Sequence, residues 1–151
     1  MRNQSRIRIV AGVVALGLAT TAFASPASVA LSQAVRNGAR IFNTDSFGSH
    51  EQSFHGQHTT CSSCHIDGGR IMGRLPNGKR IPSLINAAAI FPRYSPKLHK
   101  VITLETQIRH CVRNGLLGHP PAYGSRTMAD LVSYLGSLAH GQRVMIGGKP
   151  R

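Results

Sequence analysis

The sequence contains no tryptophan, only five phenylalanines and three tyrosines, and five acidic residues against 18 Lys+Arg in 151 residues. The length is that of one domain, which excludes a multidomain enzyme or a large parallel sheet. So few large side chains give such a chain a thin core of its own. No internal repeat is present, which excludes a repeat architecture. No apolar run reaches the roughly 20 residues needed to cross ~30 Å of hydrocarbon. The shorter apolar stretch Ile9 to Thr21 follows Arg2, Arg6 and Arg8 and precedes Ala22-Phe23-Ala24 and Ser25. It therefore reads as a cleavable export signal rather than an anchor. The expected organisation is a signal peptide over 1–24, removed after Ala24, and a mature domain over 25–151 with its core at about 29–141.

The shortage of acid leaves a formal charge of +13, from which the leader removes three arginines. Export into the periplasm makes nucleic acid an excluded partner. A positive field would instead steer in an acidic protein, an anionic membrane surface or a small anion. The alternative is that the charge only keeps the protein in solution.

Cysteine is also scarce, and its number is odd: Cys61, Cys64 and Cys111. Two can pair, and the third must then be occupied or face oxidation. Cys61-Ser62-Ser63-Cys64-His65 resolves the question, because C-x-x-C-H is the attachment signature of a c-type haem. Two thiols three positions apart can each form a thioether to a haem vinyl group. The following imidazole then lies beneath the ring as the proximal iron ligand. Two alternatives compete. A thioredoxin-like pair requires a βαβ setting, and no such alternation surrounds the motif. A structural zinc site requires a fourth ligand in closed tetrahedral geometry, which Cys111 can supply.

Around the motif the chain reads as helices joined by a long loop. Leu31, Ala34, Val35, Gly38, Ala39 and Phe42 recur at helical spacing and predict a helix over about 29–43. From Asn43 to Thr60 there is no periodicity. His50, His55 and His58 fall there without ligand-like spacing and read as solvated side chains. From Ile66 to Ile102, glycines and prolines punctuate the chain, with Pro76-Asn77-Gly78 marking a tight turn. A short helix is expected between Ser83 and Ile90, closed by Pro92. Arg70, Arg74, Lys79, Arg80, Arg93, Lys97 and Lys100 stand against Asp67 alone in this segment. They form either an anion-collecting face or an ordinary solvated surface.

Thr103 is the expected N-cap of a second helix running to about Asn114 and ended by Gly115, with Leu104, Ile108, Cys111 and Val112 on one face. A third helix is expected to begin near Thr127, capped by it with Asp130 three residues later. Its apolar stripe is Met128, Leu131, Val132, Leu135, Leu138 and Ala139, and Gly141 ends it. The basic tail to Arg151 is expected to fray. A single C-x-x-C-H predicts one haem c, covalently bound.

The second axial ligand is less determined. Cys111, the methionines, the remaining histidines and the lysines all carry donor atoms. Met128 lies on the inward stripe of the last helix, where methionine commonly serves as packing. Buried cysteine is likewise often a small hydrophobe. Coordination would explain the persistence of an unpaired thiol in an oxidising compartment. Cys111 is therefore preferred as distal ligand, with Met128 the alternative.

The segment Gly38 to Gly141 resembles the haem domain shared by diheme thiosulfate dehydrogenases and the Sox-type thiosulfate-oxidising cytochrome subunit. The resemblance rests on four pieces. They are Cys61 to Gly68, Phe91-Pro92-Arg93-Tyr94-Ser95-Pro96, Thr103 through Leu104-Glu105 and Ile108 to Cys111, and Met128 to Leu135 followed by Gly141. It implies an all-α fold: a single cytochrome c-type domain with long loops around one haem, its first and last helices crossing near Gly38 and Tyr134. It implies that Cys111 is the distal iron ligand at a thiosulfate site. The relatives tend to carry Arg four residues before that cysteine, and the dehydrogenases Ser four after. Here those positions are Gln107 and Gly115, with Arg109 and Arg113 nearby as the candidate catalytic cations.

Three functions follow from this reading. The chain is an exported electron carrier linked to oxidation of thiosulfate or related sulfur compounds. Alternatively it is a catalytic haem subunit of a thiosulfate-oxidising enzyme. The least supported option is a haem sensor or structural module. The implied partners are a redox protein, another cytochrome among the options, and thiosulfate or a similar anion.

Overall fold

Ser25 and Pro26 start the first helix together. The Ser25 hydroxyl accepts from Ser28 N at 3.2 Å, and Pro26 occupies the first turn, where its missing N–H is not needed. The resulting α1 spans Pro26–Thr44 in the computed structural model, which describes residues 25–49, 60–75 and 77–151. The leader residues 1–24 and the loop histidines His50, His55 and His58 lie outside the described residues. Among the described residues, no helix is long and apolar enough to cross a membrane.

The next elements are short: α2 (Cys61–Cys64), a 3-10 turn at Asp67–Gly69, β1 (Gly73–Arg74), β2 (Arg80–Ile81), α3 (Ala87–Ile90), β3 (Arg93–Ser95) and β4 (Lys100–Ile102). Two longer helices follow, α4 (Leu104–Gly115) and α5 (Arg126–Leu138). The protein is thus mostly helical, as expected. The two antiparallel ladders are additions. β1 pairs with β2 through Gly73↔Ile81 and Arg74↔Arg80, and β3 with β4 through Arg93↔Ile102, Tyr94↔Val101 and Ser95↔Lys100. Strands of two and three residues are too short to show period-2 alternation, so they read as loop.

α1 crosses α5 with almost no gap. A Cβ on Gly38 would lie 2.0 Å from the Asp130 carbonyl oxygen and 2.7 Å from Tyr134 Cβ, so only glycine fits at the crossing. Below it, Ile41, Phe42, Val112, Leu131, Tyr134 and Leu135 form the main core cluster. Phe42 meets the Tyr134 ring at 5.4 Å between centroids and the His65 ring at 6.2 Å. This seam carries the core to the C-x-x-C-H turn. Leu31, expected on the inward face, is 60% exposed. The crossing lies at Gly38, so the first turns of α1 extend past the shorter α5.

Several local expectations need correction, among them the end of α5, which is at Leu138 rather than Gly141. α5 is capped by Ser125, whose hydroxyl accepts from Met128 N at 3.3 Å, and Thr127 lies inside the helix. Either residue can cap by chemistry, and the extended backbone at Ser125 decides between them. Ser125→Ala is expected to destabilise the protein by about 1 kcal/mol in denaturant titration, whereas Thr127→Ala leaves the midpoint near the parent value. Second, α3 has one turn rather than the span from Ser83, because Leu84 N is bonded to Gly69 O at 2.6 Å and draws that segment across the 3-10 turn. Third, the tail does not fray. Met145 N bonds Ala89 O at 2.8 Å, Gly147 N bonds Ile90 O at 3.0 Å, and Asn86 Nδ2 donates to Lys149 O at 3.0 Å. The unpaired carbonyls at the end of α3 receive the tail amides. Thr103 caps α4 as expected, its hydroxyl accepting from Thr106 N at 3.2 Å. Gly115, however, is the last helical residue, and Leu116 caps the end.

Candidate functional site

α2 is a single turn that presents two sulfurs. Thr60, extended at its start, contacts the Ser63 hydroxyl at 3.0 Å, and His65 N closes the turn onto Cys61 O at 3.0 Å. Residues three apart on a helix share a face, so Cys61 and Cys64 both project to one side of the turn. The chain then folds back under it. Gly73 lies so close that a Cβ there would stand 2.0 Å from Cys64 O, which fixes the β1–β2 hairpin against the motif.

His65 is oriented by a partner that sequence patterns did not reveal. Its Nδ1 lies 3.3 Å from the Pro82 carbonyl oxygen. A carbonyl only accepts, so Nδ1 carries the proton and Nε2 keeps its lone pair. Burial pushes the imidazole pKa down, partly opposed by the Pro82 hydrogen bond. The ring is thus a neutral nitrogen donor held in orientation, as expected of a metal ligand.

All three cysteines are free thiols. Burial pushes Cys61 up to about 12, and the neighbouring Cys111 sulfur adds to the shift. Burial raises Cys64 as well, again with Cys111 contributing. A thioredoxin-type nucleophile requires the opposite shift. Among the described residues, no group of three His, Cys, Asp or Glu side chains is arranged to hold a metal ion, so the zinc alternative has no support there.

Cys111 sits on α4 across from this turn, close enough that its charge is felt by both other thiols. Cys111 is exposed on α4, and the surrounding protein raises the pKa of its thiol. Gln107 Nε2 donates to the sulfur at 3.3 Å, and the fields of Lys97 and Arg93 also favour the thiolate. Val112, its neighbour, is 1% exposed and faces the core, so α4 divides these two residues between core and surface. Met128 is 0% exposed and enclosed in the core beneath the start of α5, whereas Met72 and Met145 lie at the surface.

The two candidate catalytic arginines of α4 have other surroundings. Arg109 donates to the Pro121 carbonyl and its guanidinium stacks 4.5 Å above the Tyr123 ring. Arg113 is exposed on the same helix. The cations facing the Cys111 sulfur are Arg93 and Lys97, which the β3–β4 hairpin brings in from outside α4. Both belong to the basic segment expected either to collect anions or to form ordinary surface, and the hairpin, rather than their spacing from Cys111, makes the approach. Arg70, Arg74, Lys79 and Arg80 line the other hairpin at the surface.

The donor set fits a covalently attached haem: two thiols on one turn, a neutral imidazole with its second nitrogen held, and a fourth donor facing them. Among the described residues the Nε of Arg93 is buried without a hydrogen-bond partner, a polar donor that suits an anionic group beside it.

Residues 48–144 match the family described as SoxA/TsdA, cytochrome c domain. The chain belongs to this family. A cytochrome c domain of this kind implies covalently bound haem c. The sequence is 34% identical over 86 residues to a thiosulfate dehydrogenase of Thiomonas intermedia (strain K12), covering 57% of this chain and 25% of that protein. The fold is similar to that of the thiosulfate dehydrogenase TsdBA of Marichromatium purpuratum in its as-isolated form. In that comparison the TM-score is 0.56 with 28% identity, over 89% of this chain and 29% of the other. The chain thus spans between a quarter and a third of the length of these relatives.

Proposed function

We propose that this SoxA/TsdA-type domain is an exported monohaem electron carrier linked to oxidation of thiosulfate or a related sulfur anion. In this reading residues 1–24 are the export leader, residues 25–151 are the periplasmic domain, and the carrier exchanges electrons with a redox partner protein such as another cytochrome. The observation that carries it is the facing arrangement of the Cys61–His65 turn and Cys111. Bound haem supplies a one-electron iron couple. Cys61 and Cys64 tether it, and His65 binds from the proximal side with its ring held by the Pro82 carbonyl. Cys111 binds from the distal side. Its thiol must lose a proton to do so; burial opposes that loss and is the larger effect, while Gln107, Lys97 and Arg93 each favour it. The Met128 alternative is disfavoured because its side chain is fully enclosed by the core.

One observation favours a catalytic reading as well. Arg93 and Lys97 face the distal sulfur and can hold a divalent anion beside it, with Arg109 and Arg113 outside that role. The two readings separate in one experiment. Mixing the oxidised haem protein with excess thiosulfate is expected to leave the haem oxidised on the carrier reading, until a thiosulfate-oxidising partner is added. Direct reduction by thiosulfate alone, lost in Lys97→Gln, establishes catalysis instead.

A further inference from the structure

Arg93 begins β3 opposite Ile102 of β4. Cross-strand partners share a face, and successive residues alternate. Ile102 is 3% exposed, whereas Tyr94 and Val101, the next pair, are 56% and 66% exposed. The pairing therefore turns the Arg93 side chain to the inner face of the hairpin, and its Cζ rests 5.2 Å from the Phe91 ring centroid. Stacking of this kind fixes the guanidinium plane.

One donor of this fixed group is stranded. Nε is buried and has no hydrogen-bond partner among the described residues. The described carboxylates give it no counter-ion: Asp130 is taken by Arg126 at 3.9 Å, and Asp45, Asp67 and Glu105 form no ion pair with it. Leaving a buried donor unpaired costs ~1–3 kcal/mol, more for a charged group. A guanidinium N–H is best matched by an anionic acceptor, and this one lies on the side where Arg93 acts on Cys111. Haem carries two carboxylates at its edge, which supply such an acceptor.

We propose that Arg93 anchors a carboxylate of the haem, its buried Nε–H donating to a carboxylate oxygen on the inner face of the β3–β4 hairpin. This rests on the haem reading given above. Arg93 is then a positioning residue that fixes the haem edge and adds positive charge beside it. Lys97, exposed at the hairpin tip, is left as the cation free to meet external anions.

Resonance Raman spectroscopy of the holoprotein reads the carboxylate-bending band of the haem directly. The band is expected to shift in Arg93→Gln, to shift less in Arg93→Lys, and to stay in place in Lys97→Gln. The reduction potential of Arg93→Gln is expected to fall, because a cation beside the iron favours the reduced state. Both effects are expected to be the same in chloride and in sulfate. An unmoved band in Arg93→Gln overturns the inference, as does a potential change that appears only with sulfate, which identifies a free-anion site. If neither variant accumulates, the parent protein decides: transfer from H2O to D2O should move the band through the exchanged Nε–H, and no movement overturns the assignment. A colourless parent protein overturns the haem reading itself, whereas a coloured one with an unresponsive band overturns this inference alone.

Discussion

Cys111→Ala is expected to remove the sulfur signature from the oxidised haem and to raise its reduction potential. Electron paramagnetic resonance of the parent protein should show a low-spin, thiolate-ligated signal, and the variant a high-spin signal or that of a replacement ligand. The direction of the potential follows from charge. A thiolate pushes electron density onto iron and stabilises the oxidised state, so a site without it is easier to reduce. Met128→Leu is the control. Leu and Met are close in volume, so the swap costs less than about 1.5 kcal/mol, and the spectrum should not change because Met128 is sealed in the core. An unchanged spectrum in Cys111→Ala, or a changed one in Met128→Leu, reverses the distal assignment.

Gly38→Ala is expected to be among the most damaging single-methyl changes in the fold. The new Cβ would stand 2.0 Å from the Asp130 carbonyl oxygen, and a backbone atom cannot swing aside as a flexible side chain can. α1 and α5 must separate, and the Phe42–Tyr134 contact at 5.4 Å opens with them. A cost of about 3 kcal/mol, at the upper end for overpacking, is expected. For a domain of this size that lowers Tm by roughly 10 °C. The loss extends to the haem turn, because Phe42 also touches His65 and the Tyr134 hydroxyl donates to Gly68 O at 2.7 Å. Gly136→Ala, on α5 with nothing within 4 Å of the new methyl, should be neutral or mildly stabilising in the same melt. Equal effects from the two substitutions would show that the helix crossing does not limit stability.

The helices of this protein were readable wherever their apolar period was long. α1 and α4 fall within a few residues of the spacing-based reading, since each repeats its apolar face over several turns. Caps and short pieces were not. Ser125 and Thr127 have equivalent capping chemistry, and backbone geometry selected the former. The C-terminal segment carries no periodic signal, and its order comes from carbonyls at the end of α3 that only the folded chain brings near.

The haem motif was legible because attachment chemistry demands two thiols and an imidazole at fixed local spacing, a constraint satisfied within five residues. The sequence by itself therefore determined the cofactor class and the longer helices, and its family resemblance implied the helix crossing at Gly38 and Tyr134. Tertiary structure alone decided which groups face Cys111. The cations at the Cys111 sulfur come from a hairpin rather than from the arginines beside it on α4, and the partner of His65 is a proline carbonyl 17 residues away. Both choices depend on how loops close in space, and loop closure leaves no period in the chain.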